Sequence, residues 1–455
     1  MAKTQTAAAP AQKGNVVAIV AMFFLFAMIS FVTNLAAPLG TIWKNNYEWS
    51  GMLGNMMNFL AYLFMGIPAG NMLMRIGYKK TALLAMVVGL VGLVFQWLSG
   101  MVGATTEVFT VSGQAVTLNF IIYLLGAFIC GFCVCMLNTV VNPMLNMLGG
   151  GGNVGNQLVQ TGGTFNSLAG TMTPLFVGML IGQVTQDTTI GAVAPLLFIA
   201  MGVFVVAFLV ISAVKIPEPN LSKGKKVKYE HSALSFRHTV LGVIAIFFYV
   251  GLEVGIPGVL LFYLSDSAAS GITENAMAVA GGVCAIYWLL MLVGRLISAV
   301  ISGKVSSKVQ LIVVSTTAIF LICIAIFIPA DIRVSMPAYS AADGFTMAQV
   351  PAKALFLVLC GLCTSAMWGG IFNLAVEGLG KYTAQASGLF MTMVVGGGVM
   401  PLIQNAIANS AGYMTSYWLV VAMLGYLLFY ALVGCRNVNK DIPVDETDVP
   451  DPRDL

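Results

Sequence analysis

Long apolar runs, broken at charges, prolines and polar clusters, dominate the chain. A helix needs about 20 apolar residues to cross a bilayer. Twelve runs are predicted to form such helices: 16–43, 50–74, 80–100, 116–147, 154–183, 194–214, 238–264, 272–302, 309–329, 351–376, 384–408 and 413–434. The polar start, MAKTQTAAAPAQKGN, precedes a run too long for a cleaved signal, so the first helix is expected to be retained.

Composition agrees with this pattern. Hydrophobic residues make up 59% of the chain and charged residues 8%, against about 25% charged in a soluble domain. So few charges cannot cover 455 residues with a water-exposed surface, so the implied solvent is a lipid bilayer. The 49 glycines suit close helix packing.

The placement of the 21 Lys and Arg residues fixes an expected orientation. With the N-terminus cytoplasmic, eighteen fall on the inside and only Lys44, Arg333 and Lys353 outside. Both termini are therefore expected inside, in a multi-pass protein of the cell's cytoplasmic membrane. The net charge of +4 comes from residues flanking the spans, which argues against nucleic acid as a partner.

The longest inside loop suggests five parts. These are a cytoplasmic tail (1–15), a six-helix bundle (16–214), a basic linker (215–237), a second bundle (238–434) and an acidic tail (435–455), whose stretch DIPVDETDVPDPRDL is expected to be disordered. The linker lysines set topology or touch lipid headgroups.

The sequence offers little for metal or covalent chemistry. His231 and His238, the only histidines, share one basic stretch, and the eight cysteines lie mainly in apolar runs, where they read as small packing residues. No metal or cofactor is expected. No carboxylate cluster, histidine dyad or nucleophile elbow supports an enzyme.

The two halves echo one another. Gln160, Gly163 and Phe165 recur as Gln385, Gly388 and Phe390, each 225 residues on. The expected fold is therefore all-α, with twelve transmembrane helices in two pseudo-symmetric six-helix bundles. This is the plan of major facilitator transporters, which bind substrate between the halves.

Several stretches carry a closer resemblance. GIPAGNMLMRIGYKK (66–80) resembles the superfamily's loop signature, with Gly70, Arg75, Gly77, Lys79 and Lys80 matching and Met74 where an acid is usual. LNTVVNPMLNMLG (137–149), TFNSLAG (164–170), YVGLEVGIPGVLLFYL (249–264), FNLAVEGLGKYTAQASGLF (372–390) and VVGGGVMPLIQ (394–404) together resemble the fucose–galactose–glucose:proton symporter family, the L-fucose permease-like group.

That resemblance implies proton-coupled sugar uptake by a monomer. Three positions depart from it. The family often has glutamine directly before Thr-Phe-Asn, where this chain has Gly163, with Gln160 one turn earlier. The family carries a helix 1 carboxylate four residues before a proline, where this chain has Asn34 before Pro38. It also carries a helix 4 glutamate four residues before the Asn-Pro asparagine, where this chain has Asn138. These neutral amides keep sodium coupling, uncoupled facilitation and another small neutral solute open.

Read on their own chemistry, the interior polar groups supply the candidates. An ionisable group at the bilayer centre costs about 2.5–3.5 kcal/mol on insertion scales and marks function by default. Glu253 is the one acid deep in a span; it is expected to bind a coupling proton, with cation ligation or a structural hydrogen bond as other uses. Arg295, one or two turns inside a helix end, either snorkels to the interface or takes part in gating. Glu377 and the loop residues Gly70, Arg75, Gly77 and Lys79 complete the expected gate.

Substrate contacts are expected from amides, which offer both donors and an acceptor to a ring of hydroxyls. The candidates are Asn34, Asn138, Asn142, Gln160, Asn166, Asn373, Gln404 and Asn405. For Asn142 and Asn166, interhelical bonding is the better reading. Tyr287, Trp288 and Trp368 are aromatic candidates to cover an apolar sugar face.

Overall fold

The computed structural model describes residues 13–47, 50, 53–111, 113–181, 190–216, 218, 231–274, 276–340 and 344–444. Within these, the side chains of 13–15, 34–38, 40–42, 44–46, 55, 171, 173–181, 190, 192, 277, 278, 339, 340, 344 and 345 are not described. The extreme N-terminus, most of the basic linker and the end of the acidic tail fall outside the described residues.

The first half comprises α1 (Lys13–Asn46), α2 (Leu53–Leu98), α3 (Leu118–Leu148), α4 (Gly152–Ile181) and α5 (Ala194–Ala213). The second comprises α6 (Arg237–Ser265), the short α7 (Ser267–Ser270), α8 (Ala276–Ile301), α9 (Ser307–Phe327), α10 (Ala352–Thr364), α11 (Met367–Val376), α12 (Thr383–Met393), α13 (Gly396–Ala411) and α14 (Tyr413–Phe429).

Breaks account for the labels. α2 is helical on both sides of Gly77, whose φ of 85° and ψ of 174° end one crossing and start the next; glycine reaches that region without a Cβ penalty. α10 with α11 and α12 with α13 are single crossings interrupted at 365–366 and 394–395. The described helices thus make twelve crossings, as the apolar runs predict.

Ten stretches are long and apolar enough to span a membrane, and Met56–Leu98 is the double one. α4 also crosses; its residues 152–170 carry Asn153, Asn156, Gln157, Gln160 and Asn166, and the side chains of its apolar end, 173–181, are not described.

Two β-hairpins were not legible in the sequence. β1 (Glu107–Val111) pairs antiparallel with β2 (Gln114–Thr117), and β3 (Arg333–Ser340) with β4 (Gly344–Pro351). Each joins the third and fourth crossings of its half. Glu107 and Arg333 begin them 226 residues apart, one more than the repeat offset. The hairpins define one end of the bundle. The turns at Gly77, 149–151, 303–306 and 377–382 define the other, called here the linker end.

Helix faces separate cleanly. On α8, Leu289, Val293, Leu296 and Val300 are exposed at spacings of four, three and four, a lipid-facing stripe. Inside, Trp43, Phe120 and Tyr123 pack near the hairpin end, with ring centroids 4.9 and 5.4 Å from the tryptophan.

Loop charges serve helix ends. Glu218 accepts from the backbone N–H of Tyr78 (2.7 Å) and Lys79 (2.8 Å), capping the helix that starts after Gly77. The Lys79 ammonium donates to the carbonyls of Ser212 and Val214 at the end of α5, each at 2.7 Å. Lys353, counted as an outside charge, donates to Ala325 O and Ile326 O at the end of α9.

Candidate functional site

Glu253 sits near the middle of α6, and its Oε1 accepts two bonds. Tyr249, one turn earlier on the same helix, donates through its hydroxyl at 2.7 Å. Arg295 of α8 donates through Nη2 at 3.2 Å, the ion pair found among the described residues. Both side chains are largely shielded, 12% exposed for Arg295 and 16% for Glu253.

Arg295 also reaches the other half. Its Nη1 donates to Gly163 O at 3.1 Å and to Ser167 Oγ at 2.6 Å, both on α4. The snorkelling alternative is therefore not what the structure shows. Arg295 turns inward to the Gly163 carbonyl and the Ser167 hydroxyl, and Glu253 balances its charge. Removing Arg295 from the inside tally leaves seventeen charges against three, so the expected orientation is unaffected.

A polar layer continues from this pair. The Tyr249 ring packs against Trp368, centroids 6.1 Å apart. Trp368 Nε1 donates across the halves to Asn142 Oδ1 at 3.0 Å. Asn142 Nδ2 donates to Asn138 O at 2.8 Å, and Asn138 Nδ2 to the Tyr62 hydroxyl at 2.9 Å. Tyr62, Asn138, Asn142, Trp368, Tyr249, Glu253, Arg295 and Ser167 thus form one chain of contacts crossing between the halves twice.

Prolines explain two attachments. Proline lacks the N–H that would bond the carbonyl four residues earlier. Pro143 frees Thr139 O, which accepts from Ser387 Oγ of the opposite half at 3.2 Å. Pro257 frees Glu253 O, which accepts from the Tyr287 hydroxyl at 3.4 Å.

Below this layer the halves are bonded down to the linker end. Gln160 Nε2 donates to Ala366 O (2.9 Å), at the α10–α11 break. Asn146 Nδ2 donates to Asn373 Oδ1 (2.7 Å), and Asn156 Nδ2 to Ser302 Oγ (3.0 Å). On α4, Asn156, Gln160, Gly163 and Ser167 face the other half, spaced four, three and four along one face. On the opposite flank, α2 crosses α12 where Gly66 and Gly70 meet Gly388. A Cβ on Gly70 would lie 3.0 Å from Gly388 Cα. Near the hairpins, the bonds described stay within one half, Tyr47 with Thr117 and Tyr413 with Asp266. The linker end is sealed.

The structure gathers some expected residues and scatters others. Asn138, Asn142, Trp368, Glu253 and Arg295 converge. Trp288 is 42% exposed, seven residues from Arg295 on the same face of α8. Gln160 and Asn373 are buried in the seal between halves. Asn166 donates to Phe26 O and ties α4 to α1. Tyr287 is fully buried, its hydroxyl also bonded to Thr364, so it braces helices and offers no face to a ligand. Gln404 is buried facing Gly255, with neither amide atom bonded. Asn405 is half-buried on α13. The Asn34 side chain lies outside the described residues.

The expected gate is only partly assembled. Gly70 makes the α2–α12 crossing and Gly77 breaks the helix, but Lys79 binds α5 within its own half. Arg75 and Glu377 are exposed. The backbone carbonyl of Glu377, not its carboxylate, meets His238 Nε2 at 3.0 Å. Sequence reasoning missed Tyr249, Tyr62, Ser167 and Ser387. Tyr249 had a visible signal, one helical turn from the lone buried acid.

The sequence profile described as Major Facilitator Superfamily matches residues 19–401. A glucose/galactose transporter of Brucella abortus biovar 1 is 30% identical over 428 residues, covering 91% of this chain and 93% of that one. The L-fucose-proton symporter of Escherichia coli K12 is 22% identical over 439 residues, 90% of each chain. The crystal structure of the E. coli fucose:proton symporter superposes with a TM-score of 0.74 at 18% identity, covering 92% of this chain and 98% of that one. At that identity the superposition speaks for the fold.

Proposed function

Because the chain belongs to the Major Facilitator Superfamily, in its fucose–galactose–glucose permease-like family, we propose that it takes up a neutral monosaccharide by alternating access, coupled to protons through Glu253. The observation that carries this reading is the polar layer between the halves, which joins one buried acid to neutral amides and an indole. Amides and aromatic rings suit uncharged hydroxylated rings. Relatives named for glucose/galactose and for L-fucose with protons support the same class.

Asn138, Asn142 and Trp368 are the proposed sugar contacts, with Trp288 nearer the hairpins and Asn34 joining from α1. For Gln160 and Asn373, the proposed role is gating and not sugar contact, supported by their bonds to Ala366 O and Asn146 across the halves. The linker end is assigned to the cytoplasm by the Lys and Arg bias. Sugar entering from the hairpin end is released there unchanged, so no catalysis is invoked. A ligand drives such a switch only through different affinities for the two states.

Proteoliposomes carrying the purified chain test this. Radiolabelled L-fucose, glucose and galactose are offered with imposed pH or sodium gradients. Accumulation of one sugar driven by an inward proton gradient is expected. If none of the three moves, the substrate class is wrong. A specific second reading rests on the amide at Asn138: if uptake follows sodium, or no gradient at all, the carrier is sodium-coupled or a facilitator.

A further inference from the structure

The two helix crossings that seal the linker end occupy equivalent places in the repeat but differ in chemistry. At an offset of 225, Gly163 corresponds to Gly388 and Gly70 to Arg295. In one crossing Gly70 meets Gly388, backbone to backbone. In the other, Arg295 fills the place of the second glycine and bonds Gly163 O and Ser167 Oγ. The same guanidinium pairs with Glu253 of its own half. One cation therefore serves both the acid and the seal.

We propose that Arg295 is the positioning residue that transmits the proton state of Glu253 to the seal between the halves. This rests on the proton-coupled reading of Glu253 and adds the route by which the proton acts. With Glu253 ionised, the charge of Arg295 is balanced and its second nitrogen is free to hold α4. When a proton from the cavity binds the carboxylate, the buried guanidinium loses its counter-charge. A buried charge without a partner is strongly unfavourable. Arg295 regains solvation only if the linker end opens and admits water. Protonation thus favours the linker-open state, the direction that proton-driven uptake requires. The titratable or charged groups interacting with Glu253 among the described residues are Tyr249 on α6 and Tyr287 and Arg295 on α8. α4 presents only the neutral Gly163 carbonyl and Ser167 hydroxyl to Arg295.

The test reads closure directly. Gln157 and Gly303 face each other across the linker end, and a Cβ on Gly303 would lie 3.2 Å from Gln157 Oε1. The full chain carrying Gln157→Cys and Gly303→Cys, in proteoliposomes, is treated with a short bifunctional thiol reagent. Cross-linking is expected to fall several-fold from mildly alkaline to mildly acidic pH. Adding Glu253→Gln should leave it low at both. Adding Glu253→Gln with Arg295→Gln should restore it at both, since removing both charges removes the burial penalty. Ser167→Ala should lower it at alkaline pH.

Cross-linking that ignores pH in the otherwise native chain overturns the proposal, and this arm does not depend on any Glu253 variant folding. Failure of the double variant to re-close overturns it too. If the relay fails while Glu253→Gln still abolishes proton-driven sugar uptake, the proposed function stands alone. If Glu253→Gln leaves that uptake intact, the coupling reading falls, and the relay with it.

Discussion

Gly163 and Gly388 hold the same place in the two repeats, yet one faces an arginine and the other a glycine. A shared plan has been specialised on one side for charge and on the other for contact. Each glycine serves a different contact. The Gly163 carbonyl accepts from a guanidinium, whereas Gly388 lets two backbones touch.

The contact side predicts a steric effect. Gly388→Val places a side chain where an added Cβ already falls 2.7 Å from Gly66 O. Overpacking of this kind costs about 1–3 kcal/mol. The variant is expected to melt earlier in detergent and to cross-link poorly at the linker end, with sugar binding retained. An unchanged melting curve with full cross-linking contradicts the close crossing.

The indole of Trp368 predicts a polar effect. Trp368→Phe keeps an aromatic face but removes the donor to Asn142 Oδ1. A buried acceptor left unpaired costs about 1–3 kcal/mol. Weaker apparent sugar affinity, read as a raised uptake KM, is expected. A variant with native KM and native stability would remove Trp368 from the site.

Glu253→Gln separates coupling from exchange. The amide keeps the shape and accepts from Tyr249, but it cannot cycle a proton. Equilibrium exchange of labelled for unlabelled sugar is expected to continue while accumulation against a gradient stops. Uphill accumulation at the native rate is the outcome that removes Glu253 from coupling.

Glu218→Gln addresses stability away from the layer. Glu218 caps the Tyr78 and Lys79 N–H groups. Weakening such a cap costs about 0.5–2 kcal/mol. A lower melting temperature with unchanged sugar preference is expected, measured by thermal unfolding beside a competition panel.

What the sequence made legible was whatever depends on local pattern. Apolar length revealed the crossings, and Glu253 stood out because an acid in an apolar run has few explanations. The repeat of Gln160, Gly163 and Phe165 pointed to two halves. Where Arg295 turns was not legible, because distance from a helix end does not say whether a neighbouring helix offers a carbonyl and a carboxylate. The cap at Tyr78 joins residues 140 positions apart, which no local window contains. Tyr287 looked like a ring-stacking residue by type, but the carbonyl freed by Pro257 draws it into the core. The hairpins were hidden in stretches that read only as connecting loops.

The polarity of α4 bears on how the chain is made. The first nineteen residues of α4 carry five amides, whose polar groups need partners in hydrocarbon. Several of its partners lie in the second half, at Arg295 of α8, at Ser302 just after it and at Ala366 in the α10–α11 break, all synthesised later. A first half made alone would therefore leave these α4 groups without their partners.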